Sequence, residues 1–138
     1  MLATELLQTQ IEDSGFQVRQ VVAGLTGDQW DAKVNENAMS PRETIIHLTE
    51  CYLATGAATR GEQHAWGSYQ PEDTSETAIL AAWEAERAAA AALVTTDAAH
   101  AATGSAYIVG HDYYHVGQMV TLRLTLGGFD PYSIYRHG

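Results

Sequence analysis

The sequence contains a single cysteine and no long apolar run. Cys51 alone cannot form an internal disulfide, which excludes a disulfide-stabilised secreted scaffold. No stretch approaches the ~18 consecutive apolar residues that a membrane-spanning helix needs. Residues 1–5 have neither the basic start nor the apolar core of a signal peptide. We therefore expect a cytoplasmic protein without a membrane partner.

Basic residues are also scarce. Seven Lys and Arg are set against 17 Asp and Glu, so the formal net charge is −10. The basic residues are scattered along the chain, at Arg19, Lys33, Arg42, Arg60, Arg87, Arg123 and Arg136. A nucleic-acid-binding surface needs a basic patch that neutralises phosphates. The charge pattern therefore excludes nucleic acid as a partner.

Large apolar side chains are few, whereas alanine is abundant. Leu, Ile, Val and Phe together number 27 of 138 residues, just under the ~20% level below which a highly charged chain is suspected of disorder. There are 22 alanines. Either the chain has alanine-packed helix contacts and an additional constraint, or it is partly unfolded. We expect the alanine run at residues 88–92 to lie at a tight contact, inside the fold or between subunits.

Apolar residues recur at three- and four-residue steps in four segments, which is the pattern of amphipathic helices. The segments are residues 2–25, about 44–60, 79–94 and about 105–126. Long loops separate the first from the second and the second from the third, and no segment alternates as a strand does. The sequence therefore predicts one all-α domain over residues 1–138, a four-helix bundle.

The ends of these segments carry helix signals. The sequence S-P-R-E at residues 40–43 supplies an N-cap hydroxyl, a proline at the first helical position and a glutamate that can reach back to the cap. Asp73 or Thr74 can cap the third helix, and G-G at residues 127–128 can end the fourth. The aromatic tail, residues 129–135, is expected to pack back on the bundle.

Two of the six histidines lie one turn apart in the fourth segment. His111 and His115 share a helix face with Ile108 and Leu122, so this face is expected to point inward. Buried imidazoles need partners for their ring nitrogens, and a divalent metal ion is one such partner. Hydrogen-bond partners within the protein are the alternative to a metal ion. A bare H-x-x-x-H pattern is short, so it often occurs without binding a metal.

A third histidine, His47, lies in the second segment. It shares a face with Thr44, Cys51 and two alanines, which leave room for a neighbouring helix. Alone, such a histidine is more often a hydrogen-bonded core residue. Joined with the pair of the fourth segment, it would give a three-histidine site with open positions, as catalytic metal sites have. The histidines without such spacing are His64, His100 and His137.

Two stretches of the sequence together resemble the DinB/YfiT-like superfamily. They are S-P-R-E-T-I-I-H-L at residues 40–48 and H-D-Y-Y-H-V-G-Q at residues 111–118, followed by Arg123 and L-G at residues 126–127. The resemblance extends from the first helix to the tail, and the second stretch is its most specific part.

The resemblance implies an up-down-down-up four-helix bundle, often a homodimer, that holds one divalent ion. Carried over to this sequence, the metal ligands are His47, His111 and His115. Nickel, zinc, iron and manganese all accept imidazole ligands. Tyr114 stands where such proteins often have a further histidine, and Met39 stands where they often have tryptophan.

Several residues near the histidines are candidates to act around the metal. Asp112 makes the pattern H-D-x-x-H, which is similar to the H-E-x-x-H of metalloproteases. No strand is available to bind a peptide, so we favour a carboxylate that orients a ligand histidine, or an outward-facing one. Gln118, Tyr114 and Cys51 are further candidates, although a lone buried cysteine is most simply a small hydrophobe. Glu50 is expected on a solvated face, and no catalytic residue is assigned.

The leading functional hypothesis is a metal-dependent enzyme. Members of the wider superfamily resemble thiol-dependent transferases or isomerases, so a small-molecule thiol or an electrophile is the expected substrate. Hydrolysis by an activated water is an alternative reaction. A second hypothesis is a non-catalytic, metal-stabilised or metal-sensing bundle connected with stress response. A helical dimerisation module without a metal is a third. A metal site predicts that the bundle loses stability when its metal is removed.

Overall fold

The computed structural model describes residues 1–136, so His137 lies outside the described residues. The described chain is all-helical. Its long helices are α1 (Ala3–Val22), α2 (Pro41–Thr59), α3 (Glu76–Thr95) and α4, which consists of the consecutive segments Ala101–Gly104, Ser105–Gly110 and His111–Leu126. Short 3₁₀ turns cover Gly27–Asp31, Ala98–His100 and Pro131–Ile134. The predicted helical bundle is confirmed at this level, and no strand occurs in residues 1–136.

Helix α2 begins as the sequence signals predict. The Ser40 hydroxyl accepts from the Glu43 backbone N–H at 3.1 Å, and the Glu43 carboxylate accepts from the Ser40 backbone N–H at 3.3 Å. Pro41 occupies the first helical position, where its missing N–H costs no hydrogen bond. This cap fixes where α2 starts and therefore which residues share the face of His47.

Helix α3 begins at a different cap from the predicted one. Ser75, rather than Asp73 or Thr74, accepts from the Ala78 backbone N–H at 3.3 Å. Asp73 instead accepts from the Ser75 backbone N–H at 2.9 Å. The two short polar side chains act in sequence, the first turning the chain and the second capping the helix.

The alanine run of α3 is mostly exposed. Ala90 is buried, whereas Ala88, Ala89 and Ala92 are exposed. The buried stripe of α3 runs through Ile79, Trp83, Arg87, Ala90 and Val94. Only one alanine of the run falls on this stripe. The prediction of a tight contact inside the fold is therefore wrong for these three exposed alanines.

The apolar core is completed by the loops and the tail. Trp30, in the first connection, is 5% exposed and belongs to the core cluster. In the tail, Ile134 is buried and Phe129 packs against the same cluster. The Arg136 guanidinium lies 5.7 Å from the ring centroid of Phe16. The tail thus packs back on the helices through Phe129 and Ile134, whereas its two tyrosines, Tyr132 and Tyr135, are exposed.

A buried ionic network crosses the centre of the fold. The Asp112 carboxylate accepts from Ser14 Oγ at 2.6 Å, from Arg87 Nη1 at 2.6 Å and from the Tyr52 hydroxyl. Trp83 Nε1 donates to the same Tyr52 hydroxyl at 3.0 Å. Because these side chains come from all four long helices, the network fixes α4 relative to its neighbours. Arg87 and Asp112 are 4% and 0% exposed, so neither charge is left to water.

Among residues 1–136, no helix is both long enough and apolar enough to cross a membrane.

Candidate functional site

The fold brings three histidines together between α2 and α4. The ring centroids of His47 and His115 are 4.9 Å apart, and those of His47 and His111 are 6.5 Å apart. His115 is buried, whereas His47 and His111 are half-buried. The sequence motifs therefore supply one cluster of imidazoles that is open to the surface on one side.

A π-helical segment, Ser105–Gly110, directly precedes the two histidines of α4. Such segments widen one helical turn and are frequent at functional sites. Gly104, at its start, has no room for a side chain, because a Cβ there would lie 2.7 Å from Val94 Cγ2 and 2.9 Å from Leu7 Cδ2. The helical pattern of the sequence does not predict this segment, and the local sign of it is the pair Gly104 and Gly110.

One nitrogen of each α4 imidazole is held by a neighbouring acceptor. His111 Nδ1 lies 2.9 Å from the Tyr107 carbonyl oxygen, and His115 Nδ1 lies 2.8 Å from Gln118 Oε1. A carbonyl oxygen can only accept, so in both rings Nδ1 carries the proton. In the neutral ring Nε2 is then the atom with a lone pair. This is how metal-binding histidines are commonly oriented.

Burial keeps two of the imidazoles uncharged. Desolvation is the main cause that lowers the pKa of His115 to about 4, and the neighbouring His47 and His111 add to it. Desolvation also lowers the pKa of His47, again with a contribution from His111. Both rings are therefore neutral at pH 7, the state in which imidazole binds a metal.

Imidazole nitrogens suit a divalent ion, and the spacing of the rings can be compared with that of two ligands of one ion. Imidazoles bound to one zinc at about 2.0–2.1 Å place their ring centroids roughly 5 Å apart. The His47–His115 separation matches this spacing, whereas the His47–His111 separation is wider. In the described part of the chain, no group of three His, Cys, Asp or Glu side chains is arranged so that it could bind one ion. His111 must therefore shift toward the pair to complete a three-histidine site.

Cys51 lies against His47. Its Sγ is 3.6 Å from His47 Nε2, and the residue is fully buried. Burial is the main cause that raises the pKa of the thiol to about 12, so the thiol keeps its proton at neutral pH. Cys51 thus forms the wall of the cluster as a neutral S–H group.

Asp112 and Tyr114, the remaining candidates, lie in different environments. Asp112 follows His111 in the chain, but Ser14, Tyr52 and Arg87 bind its carboxylate in the ionic network. The structure therefore does not bring Asp112 to the imidazoles. Tyr114 is 64% exposed, and its ring centroid lies 5.0 Å from that of His115.

Glu50 is a buried residue, contrary to the solvated position expected from the sequence. Its carboxylate accepts from the Gly67 backbone N–H at 2.7 Å and lies 3.0 Å from His64 Nε2. Burial acts to raise the pKa of Glu50, but the bonds to His64 and to backbone N–H groups lower it on balance. The expectation failed because both partners come from the loop after α2, beyond the reach of a pattern read along one helix.

The same loop places Trp66 beside the cluster. The ring centroid of Trp66 is 6.4 Å from that of His47 and 5.0 Å from that of His64. The indole is 55% exposed. The loop held by Glu50 therefore carries an aromatic side chain at the rim of the histidine cluster.

No protein-family model matches the chain, and no match was found among curated proteins or solved structures.

Proposed function

We propose that the chain binds one divalent metal ion through His47, His111 and His115, and that it is a metal-dependent enzyme of the DinB-like kind. The observation that carries this proposal is the pair of Nδ1 contacts to Tyr107 and Gln118, which leaves Nε2 of both α4 histidines as the lone-pair atom. The proximity of the neutral His47 ring adds a ligand from a second helix. Nickel, zinc, iron and manganese all suit this donor set.

The protein groups around the histidines have separate tasks in this proposal. Tyr107 and Gln118 hold the Nδ1 protons and so fix the two rings. Trp66 stands at the rim beside His47, where its ring is available to pack on a ligand. When bound, a divalent ion polarises a carbonyl or lowers the pKa of a water or thiol. A thiol-dependent transfer or isomerisation, with hydrolysis as the alternative, is the reaction class that this supports.

We also propose the up-down-down-up order of helices. Contacts between α1 and α4 advance in the same chain direction, from Ser14 with Asp112 to Val21 with Arg123. Contacts between α1 and α3 advance in opposite directions, and the pairs are Ile11 with Arg87 and Arg19 with Glu84. Contacts between α2 and α3 advance together, and the pairs are Arg42 with Glu76 and Tyr52 with Trp83. These pairs support two helices running each way.

A homodimer is part of the same proposal. The exposed alanines Ala88, Ala89 and Ala92 of α3 carry small side chains, which let a second helix approach closely. Sedimentation equilibrium at several protein concentrations tests it. A molecular mass of one chain throughout would contradict the dimer.

A non-catalytic metal-stabilised bundle is the second candidate. It is favoured by the position of the histidines, because an ion shared by His47 and His115 would join α2 to α4. Dialysis against a chelator, thermal melting and a screen with several thiols and electrophiles separate the two candidates. Turnover that is lost with the metal and restored by reloading supports the enzyme. Metal-dependent melting without any turnover supports the structural role.

A further inference from the structure

A small apolar recess adjoins the histidine cluster. It has a volume of about 160 Å³ and lies between the first connection, the start of α2 and the last segment of α4. The residues that form most of its wall are Val34, Met39, Thr44, Gln118, Met119 and Leu122. Thr44 lies one turn before His47, and Gln118 lies one turn after His115. The recess is therefore one helical turn away from the closest pair of imidazoles.

The floor of the recess is buried and uncharged. Met119 and Leu122 are 3% and 4% exposed, and Thr44 is 2% exposed. The Thr44 hydroxyl donates to the Ser40 carbonyl oxygen at 2.8 Å, so its proton is not available to a ligand. All the residues that line the recess are uncharged. A charged ligand would lose its hydration there without gaining a partner, so the recess suits an apolar group.

The volume limits the size of that group. A buried apolar cavity of about 150 Å³ is large enough to take up benzene. The recess is of this size, so it fits a phenyl group or a branched alkyl group of similar bulk.

Gln118 connects the recess to the histidines. Its side-chain oxygen accepts from His115 Nδ1, so its amide nitrogen keeps two N–H donors. Gln118 is exposed at the rim of the recess. The rim therefore offers a hydrogen-bond donor above an apolar floor, and the matching ligand has an acceptor oxygen next to its apolar group.

We propose that this recess binds the apolar group of a small neutral carbonyl compound, with the carbonyl oxygen on the Gln118 amide. The orientation of the carbonyl toward the histidines rests on the proposed function, whereas binding of the apolar group does not. A neutral ligand also agrees with the net charge of −10, which repels anions.

The three methionines allow a direct test in the metal-free protein. Met39 and Met119 line the recess, whereas Met1 is 90% exposed at the start of the chain. With methyl-¹³C-methionine labelling, titration with acetophenone is expected to shift the Met39 and Met119 signals saturably and to leave Met1 unchanged. Shifts no larger than that of Met1 would overturn the proposal, whether or not the protein binds metal.

A ligand without the carbonyl tests the role of Gln118. Ethylbenzene has a similar apolar shape and no acceptor, so we expect it to bind about fivefold more weakly than acetophenone, the loss of one hydrogen bond. In Gln118→Leu this difference is expected to disappear, and in the control Gln8→Leu, on α1, it is expected to remain. Equal binding of the two compounds by the wild type would overturn the carbonyl part of the proposal.

A variant in which a larger side chain fills the recess tests where the ligand binds. Ala38 also lines the recess and is half-buried, so Ala38→Trp fills the space, whereas Leu124→Trp adds the same side chain at an exposed position of α4 outside it. Acetophenone is expected to bind Ala38→Trp at least tenfold more weakly than Leu124→Trp. Equal affinity of the two variants would place the ligand elsewhere and contradict the proposal.

Discussion

The ring of His47 on α2 stands 4.9 Å from the ring of His115 on α4, centroid to centroid, at an interplanar angle of 73°. Both imidazoles are neutral at pH 7 because burial lowers their pKa values. Two neutral imidazoles from different helices thus lie next to each other, and Gln118 holds one of them at Nδ1.

Loss of the Gln118 acceptor is expected to weaken metal binding. In Gln118→Leu the Nδ1 proton of His115 has no partner at this position, so the ring loses its fixed orientation. Outer partners of ligand histidines typically contribute 10–100-fold in metal affinity, and we expect a decrease of roughly that size. Competition with a chromophoric chelator measures it. An affinity equal to that of the control Gln8→Leu would show that Gln118 does not support the site.

The metal-free protein is expected to lose stability as the pH falls from 6.5 toward 4. The unfolded chain protonates His115 near its ordinary pKa of 6.5, whereas the folded protein protonates it only at about 4. Between these values the unfolded state binds the extra proton, so the free energy of unfolding decreases on acidification. Above pH 6.5 the contribution is fully present.

Urea unfolding of the metal-free protein at several pH values between 7.5 and 4 measures this effect. In His115→Gln the decline of stability over this range is expected to be shallower, and in His100→Gln it is expected to match the wild type. Identical declines in the His115→Gln variant and the wild type would contradict the buried, neutral state of His115.

Trp66 is expected to report metal binding by its fluorescence. Its ring lies 6.4 Å from that of His47, and it is 55% exposed, whereas Trp30 and Trp83 are buried. Paramagnetic Co²⁺ or Ni²⁺ at the histidines should quench Trp66 strongly. Trp66→Phe is expected to lose most of the quenching and Trp30→Phe to retain it. Equal quenching of the wild type and Trp66→Phe would place the ion elsewhere.

The Asp112–Arg87 pair is expected to be essential for stability. Asp112→Asn leaves the buried Arg87 charge without its partner, which typically costs about 3–5 kcal/mol in the free energy of unfolding. The control is Arg60→Ala, which removes an exposed pair with Glu62 and should cost less than about 1 kcal/mol. Urea unfolding measures both. Similar small losses in the two variants would contradict the role given to the network.

Features set by neighbouring residues could be predicted from the sequence. The cap formed by Ser40 and Glu43 is a contact between residues three apart, so its pattern alone locates the start of α2. The helical spacing of His111 and His115 likewise predicts a shared face. The meeting of this face with His47 agrees with the bundle expected from the helix pattern.

Features set by distant residues could not be predicted in this way. Glu50 and Asp112 have the charge and spacing of surface residues, and only partners from other elements make them buried. Gly104, directly before the π-helical segment, likewise lacks room for a Cβ only because Val94 and Leu7 lie against it from other helices. A single sequence records which groups are present, but not which of them meet across the fold.

The metal content of the purified protein shows whether the three histidines bind an ion. The experiment compares the wild type with His115→Ala and with the control His100→Ala. Each protein is purified without chelators and reloaded with nickel, zinc, iron or manganese. Elemental mass spectrometry then measures the bound metal. We expect about one ion per chain in the wild type and in His100→Ala, and a large loss in His115→Ala. A wild type without stoichiometric metal after reloading, or a His115→Ala variant that binds as much as the wild type, would contradict this expectation.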